Sequence, residues 1–180
     1  MSFQAQSTNT MSEKKHVIYD LRYSYSGPFV VEDFYKHVDK WIQLNGYEKE
    51  AKKALEYVTK DGKQIQWIIE VHSHLDDLNH GIAVLHVLMN NVKEIVLKKK
   101  GKKIRINNGD VNIHVDGFID AHTHATFWVA KPFYAFIRTL IDRFVVHVYS
   151  DKYDGAVADQ CHKLFKDIRA FFNVQKYEYE

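Results

Sequence analysis

The hydrophobic pattern of the chain changes its period along the sequence, and this change constrains the fold more than any other feature. In the middle of the chain, apolar and polar residues alternate in runs that end at turn-forming positions such as Gly62 and Gly101. Alternation with a period of two is typical of strands that bury one face. From Pro132 onward, apolar residues recur every three or four positions, which predicts helices.

The connections between the predicted strands are short, which favours antiparallel pairing because a parallel pair needs a crossover of about a dozen residues. Residues 16–25 alternate and predict a first strand. Helical spacing of Phe34, Val38 and Ile42, followed by Gly46, predicts a first helix. Residues 48–57 carry apolar residues at helical spacing, although they could also run into a strand, and we predict a short second helix there.

Two further helices are expected after the strands. Residues 133–148 carry one apolar stripe, and residues 157–172 carry another. The segment 149–155, which ends at Gly155, predicts a break between them. The sequence therefore predicts an α+β fold in which a curved antiparallel sheet packs on C-terminal helices.

Composition limits the class of protein. The chain has 180 residues, of which 46% are hydrophobic and 27% charged, with a formal net charge of +2. These values fit one globular domain, predicted over residues 16–180, and argue against disorder or a repeat protein. Residues 1–15 are polar and are expected to form a disordered leader. A single cysteine, together with the lack of an apolar export signal or a span long enough for a bilayer, predicts a cytoplasmic protein.

The order of the elements resembles that of the START and Bet v 1-like superfamily. A strand, one or two helices, a long antiparallel meander and C-terminal helical sequence follow one another over residues 17–173 in this order. The resemblance implies a helix-grip architecture, in which a sheet wraps around a terminal helix. It departs from that family at 149–155, because the family usually ends in one long helix. It also implies a pocket between sheet and helix for a hydrophobic small molecule, such as a lipid, an isoprenoid or a polyketide-like compound.

The residues themselves are compatible with such a pocket, because a sheet bent around an aromatic-rich helix either fills its concave side or leaves a cavity there. The alternative is that the same aromatic side chains are simply core. The predicted lining residues are Trp67, Trp128, Phe133, Tyr134, Phe136 and Phe144.

The chain contains 11 histidines, and several alternate with apolar residues on predicted strands. Glu70, His72 and His74 are expected to share one face of their strand, opposite Trp67. His114, Asp116, Asp120, His122 and His124 are expected to share one face of the last strand. If the two strands are neighbours, His72, His74, His122 and His124 could hold zinc or another divalent metal. A metal-dependent enzyme that uses these histidines is the alternative function. For the ligand-binding function, no cofactor and no catalytic residue is predicted. The alternative to a metal site is that the alternating histidines and carboxylates simply form the solvent-facing side of a sheet.

Other functional patterns are weaker. Lysines crowd the predicted hairpin around Gly101, but no aromatic residues are interleaved with them, which argues against nucleic acid as a partner. Cys161 lies on an apolar stripe and is expected to be a buried structural thiol. The last amphipathic helix could alternatively pair with a second copy, so a homodimer stays open. A purely structural or interaction module is the third alternative.

Overall fold

The computed structural model describes residues 11–60, 62–77, 79–99, 102–123 and 147–179. The elements in these ranges are β1 (Met11–Phe29), α1 (Val31–Leu44), β2 (Glu48–Thr59), β3 (Gly62–His74), β4 (Asn79–Lys99), β5 (Lys102–Thr123) and α2 (His147–Tyr179). None of the helices in these ranges is long and apolar enough to cross a bilayer.

The five strands form one curved, open antiparallel sheet in the order β1-β5-β4-β3-β2. Among the described strands, β1 therefore pairs with β5, and β1 and β2 are the two edges of this sheet. The helix α2 packs against β1, β5 and β4. This arrangement confirms the predicted α+β class and the packing of a C-terminal helix on an antiparallel sheet.

The central strands bury one face because their side chains alternate between the helices and the opposite side of the sheet. On β3, Ile65, Trp67, Ile69 and Val71 are buried, as the alternation predicts. The same rule holds on β5, where Val111, Ile113, Val115 and Ile119 are buried. We call the side that α1 and α2 cover the inner face of the sheet, and the opposite side the outer face.

The helix α1 forms as predicted. Phe34, Val38 and Ile42 are spaced by one turn and are all buried. Glu32 and Asp33 lie in the first turn, where negative charge favours the helix dipole. The helix ends before Gly46, which has a φ of +67° and so occupies the left-handed region that glycine adopts without strain.

The predicted break at 149–155 is wrong, because α2 is continuous from His147 to Tyr179 and includes Gly155. A single glycine in an exposed helix costs only about 1 kcal/mol relative to alanine, and the packing of the rest of the helix outweighs that. The earlier helix predicted over 133–148 lies outside the described residues, apart from its last two positions.

The short helix predicted over 48–57 is also wrong, because these residues form β2. Its backbone pairs with β3 from Glu48 opposite His72 to Thr59 opposite Gly62. Helical spacing of a few alanine and leucine residues is a weak preference, and the ladder of hydrogen bonds to β3 overrides it.

The structure also differs from the predicted leader over 11–15, because β1 begins at Met11. These residues pair in register with β5, from Met11 opposite Thr123 to Lys15 opposite Ile119. Backbone pairing does not require apolar side chains, and Lys15 Nζ also lies 2.8 Å from a carboxylate oxygen of Asp154 on α2. Residues 1–10 lie outside the described residues.

Candidate functional site

The helix α2 lies directly on the sheet between Val157 and Phe172. Val157, Cys161, Leu164, Ile168 and Phe172 face the sheet and are fully buried. Burial raises the pKa of the Cys161 thiol to about 12, so this cysteine is an unreactive core residue, as its position on the apolar stripe predicts. The space between this part of α2 and the sheet is therefore occupied by side chains.

Trp67 lies on the inner face of β3 and is 8% exposed. Its ring contacts the rings of Tyr35, with centroids 4.7 Å apart, and Phe34, with centroids 6.1 Å apart. The other residues predicted to line a pocket lie outside the described residues; they are Trp128, Phe133, Tyr134, Phe136 and Phe144. Trp67 therefore lies in the part of the inner face that α1 covers.

A cavity of about 500 Å³ lies next to this aromatic cluster, between the first turn of α1 and the nearby ends of β2, β3, β4 and β5. Its lining combines buried and half-buried apolar residues with charged and polar ones. The apolar members are Val30, Val31, Tyr35, Ile65, Val92 and Ile106, and the polar members are Glu32, Glu56, Lys63, Glu94, Arg105 and Asn107. Tyr35 connects the cavity to Trp67, which does not line it.

The charged residues of the cavity are paired across its rim. Lys63 Nζ lies 2.8 Å from Glu56 Oε1, and Arg105 lies 3.5 Å from Glu94. The hydrogen bond that the Lys63 ammonium donates to Glu56 raises the pKa of Lys63. Burial, together with the negative charge of Glu56, raises the pKa of the Tyr35 phenol. The cavity thus offers an apolar floor, a neutral phenol and a rim that carries both signs of charge.

The outer face carries the histidines and carboxylates that the alternation predicts. Glu70 and His72 on β3 lie on this face, and so do His114 and Asp116 on β5. The predicted four-histidine metal site requires β3 and β5 to be neighbours. However, β4 lies between these two strands. His74 is 69% exposed, and the side chains of His122 and His124 lie outside the described residues.

The structure instead brings two carboxylates of neighbouring strands to His72. Glu50 on β2 is directly opposite Glu70 on β3. One ligand atom from each of Glu50, Glu70 and His72 lies within 4.8 Å of the others. Lys52 Nζ lies 2.7 Å from Glu50 Oε1 and 3.2 Å from Glu70 Oε2. This bond to Lys52 lowers the pKa of the Glu50 carboxyl, while the two carboxylates raise the pKa of Lys52. We call these four residues the edge cluster.

A second polar cluster lies on the outer face near the other edge of the sheet. The register of β1 shifts between Ile18 and Leu21, and Asp20 in this bulge accepts a hydrogen bond of 2.7 Å from His114 Nδ1 and another from Arg22. The backbone N–H of Asp20 donates to Asp116 Oδ1 at 2.9 Å. Two clefts of about 280 Å³ and 190 Å³ lie beside it, and Asp116 and His86 line both.

Sequence reasoning missed the cavity at α1 and the partners of His72. The apolar spacing of α1, to which Val31 belongs, indicates a face that packs on the sheet, but it gives no signal that Val31 and Tyr35 share a cavity with the strands. Glu50 and Lys52 were assigned to a helix, which removed them from the sheet. The alternation of β3 did identify His72 and Glu70 as residues of one face.

Comparison with known proteins adds no family to this description. No family model matches the chain, and no curated protein matches it.

Proposed function

We propose that this protein binds a hydrophobic or amphipathic small molecule of the lipid, isoprenoid or polyketide-like class in the cavity between α1 and the sheet. The observation that carries the proposal is the cavity itself. Its volume of about 500 Å³ falls in the range of about 300–1,000 Å³ that is typical of small-molecule sites.

The chemistry of the lining supports an amphipathic ligand. Ile65, Val92 and Ile106 form a floor of buried apolar side chains, which favours the transfer of an apolar ligand body from water. Lys63 and Arg105 at the rim are cations whose present partners are carboxylates of the chain itself. A ligand with a polar end can exchange with those carboxylates at the rim, while its apolar part contacts the floor.

The strand order is also consistent with the resemblance to helix-grip proteins. Among the described strands, β1 pairs with β5, the curved sheet packs against α2, and α1 follows β1 directly. The ligand site differs in place from the expected pocket along the C-terminal helix, because side chains of α2 fill the space between the helix and the sheet from Val157 to Phe172. The cavity lies instead under the first turn of α1.

The proposal is tested by binding of a fluorescent fatty acid, cis-parinarate, to the full chain. We expect saturable binding by the wild type. Val31→Trp places a large ring at the cavity wall and is expected to weaken binding by about tenfold or more, because the added volume competes with the ligand. Organic extraction of the purified protein, followed by mass spectrometry, identifies any molecule that it retains from its host.

Leu44→Trp is the matched control. Leu44 lies at the other end of α1 and is 76% exposed, so the same ring added there should leave the affinity unchanged. Binding that does not saturate in the wild type contradicts the proposal. Equal affinities of the wild type and Val31→Trp, with both proteins folded by circular dichroism, contradict it as well.

A further inference from the structure

The edge cluster lies on the outer face of the sheet, opposite the face that α1 covers, so what it binds is independent of the cavity. Its geometry follows from the pairing of β2 with β3. Glu50 and Glu70 are directly opposite each other, and His72 follows Glu70 on the same face of β3. Three potential metal ligands from two neighbouring strands therefore converge at one point.

Two carboxylates directly opposite each other destabilise a sheet unless a cation lies between them. A register shift between Ala51 and Lys53 leaves Lys52 without a partner in the ladder, and its ammonium lies within 3.2 Å of both carboxylates. The side chain of Lys52 is 38% exposed, so it can leave the cluster for water at little cost. The cluster is thus a cation-binding position that the partly exposed ammonium of Lys52 occupies.

His72 supplies a nitrogen donor beside the two carboxylates. Its side chain is 26% exposed, but its Nε2 atom is buried and makes no hydrogen bond of good geometry among the described residues. It lies 3.5 Å from Glu50 Oε2 and 3.5 Å from Glu70 Oε2. In a tetrahedral zinc site with bonds of about 2.0–2.2 Å, neighbouring ligand atoms lie about 3.3–3.6 Å apart. The imidazole nitrogen is therefore already at ligand spacing from each carboxylate.

The donor set decides the class of ion. One imidazole nitrogen with two carboxylate oxygens suits zinc and other divalent first-row transition metals, whereas magnesium and calcium prefer sites made of oxygen alone. Three protein ligands leave at least one coordination position for water or another ligand. An ion there would satisfy the buried Nε2 atom and would replace the ammonium between the carboxylates.

We propose that Glu50, Glu70 and His72 bind a divalent transition-metal ion such as Zn²⁺, and that Lys52 is a built-in competitor for the same position. The site is formed by neighbouring strands at one edge of the sheet, and it differs from the four-histidine site that the sequence suggested in every ligand except His72. Occupancy by metal requires the Lys52 ammonium to move away from both carboxylates.

Isothermal titration of the tag-free full chain with Zn²⁺ tests this proposal. His72→Ala is expected to weaken binding by about tenfold or more, because it removes the only nitrogen ligand of the set. Glu50→Gln should weaken it as well, and this exposed position is a second variant if His72→Ala does not fold. Lys52→Met keeps the aliphatic stem but removes the charge, so it should tighten zinc binding by about tenfold. Mg²⁺ should not bind measurably.

Two further histidine variants serve as matched controls. His162→Ala removes an exposed imidazole of α2, and His74→Ala removes an exposed imidazole at the end of β3; both should leave the affinity for Zn²⁺ unchanged. Equal weakening by all three histidine variants would show adventitious surface binding and overturn the proposal. Loss of binding in His74→Ala but not in His72→Ala would overturn it too, and so would an affinity that Lys52→Met leaves at the wild-type value.

Discussion

At Asp20 the outer face departs from a regular strand. It has a φ of +50°, in the left-handed region that residues other than glycine seldom adopt, and it lies in the bulge of β1. The bulge turns its carboxylate toward Arg22 and His114, which both donate hydrogen bonds to it. These hydrogen bonds lower the pKa of Asp20 from 3.8 to about 2, and the bond from Arg22 has the larger effect.

The lowered pKa of Asp20 predicts how the stability of the protein depends on pH. A carboxyl whose pKa is lower in the folded state contributes stability above its unfolded pKa, and that contribution is lost as the pH falls through the folded value. Asp20→Asn retains a residue that tolerates the left-handed region. We therefore expect urea denaturation to show wild type more stable than Asp20→Asn above pH 3.8, with the difference shrinking toward pH 2.

Arg22→Ala provides the control for the cause of that shift. Titration of the Asp20 carboxyl carbon by NMR should give a pKa of about 2 in the wild type and a value closer to 3.8 in Arg22→Ala. A carboxyl that titrates near 3.8 in the wild type would contradict the hydrogen bonds described here. So would a stability difference that does not change between neutral pH and pH 2.

At the scale of elements, the contact between α2 and the sheet depends on a close approach at Gly117. A Cβ atom built at Gly117 would lie 2.8 Å from Cys161 Sγ and 3.3 Å from a methyl group of Val157, so a larger residue would push α2 away from β5. A larger residue therefore fits at this crossing only if a neighbouring side chain or the helix shifts.

Gly117→Ala is therefore expected to destabilise the protein by about 1–3 kcal/mol, as overpacking of a core does. Cys161→Ala removes the nearest atom and should recover part of that loss in the double variant. Gly155→Ala is the matched control, because nothing lies within 4 Å of a Cβ atom there; it should stabilise α2 by about 0.5–1 kcal/mol. Thermal or urea unfolding measures both. Equal effects of Gly117→Ala and Gly155→Ala would contradict the described packing.

The sequence predicts some of the strands and helices better than others. Alternation identified the buried face of β3 from Ile65 to Val71, because one periodic face against a core leaves a local signal. Helical spacing identified α1 for the same reason. It failed for β2, whose residues are all exposed and so carry no strand periodicity. Only its pairing with β3 in a hairpin, which the exposed side chains of β2 do not signal, makes this segment a strand.

At the scale of the whole molecule, the two proposed sites lie on opposite faces of one sheet. The cavity uses the inner face next to α1, and the edge cluster uses the outer face of β2 and β3. The sequence predicted the fold class and the polar side of β3. It could not predict either site, since the cavity depends on how α1 crosses strand ends and the cluster depends on the β2–β3 register. Failure of one proposal therefore leaves the other standing.

The central claim is that the cavity at α1 takes an amphipathic ligand, and a titration of isotope-labelled protein with laurate, followed by amide NMR spectra, tests it most directly. We expect saturable shifts in the first turn of α1, at Val31 and Tyr35, and in the adjoining strand ends at Ile65 and Ile106. Spectra that do not change at millimolar laurate would contradict the claim. Shifts confined to the outer face or to the exposed side of α2 would contradict it equally.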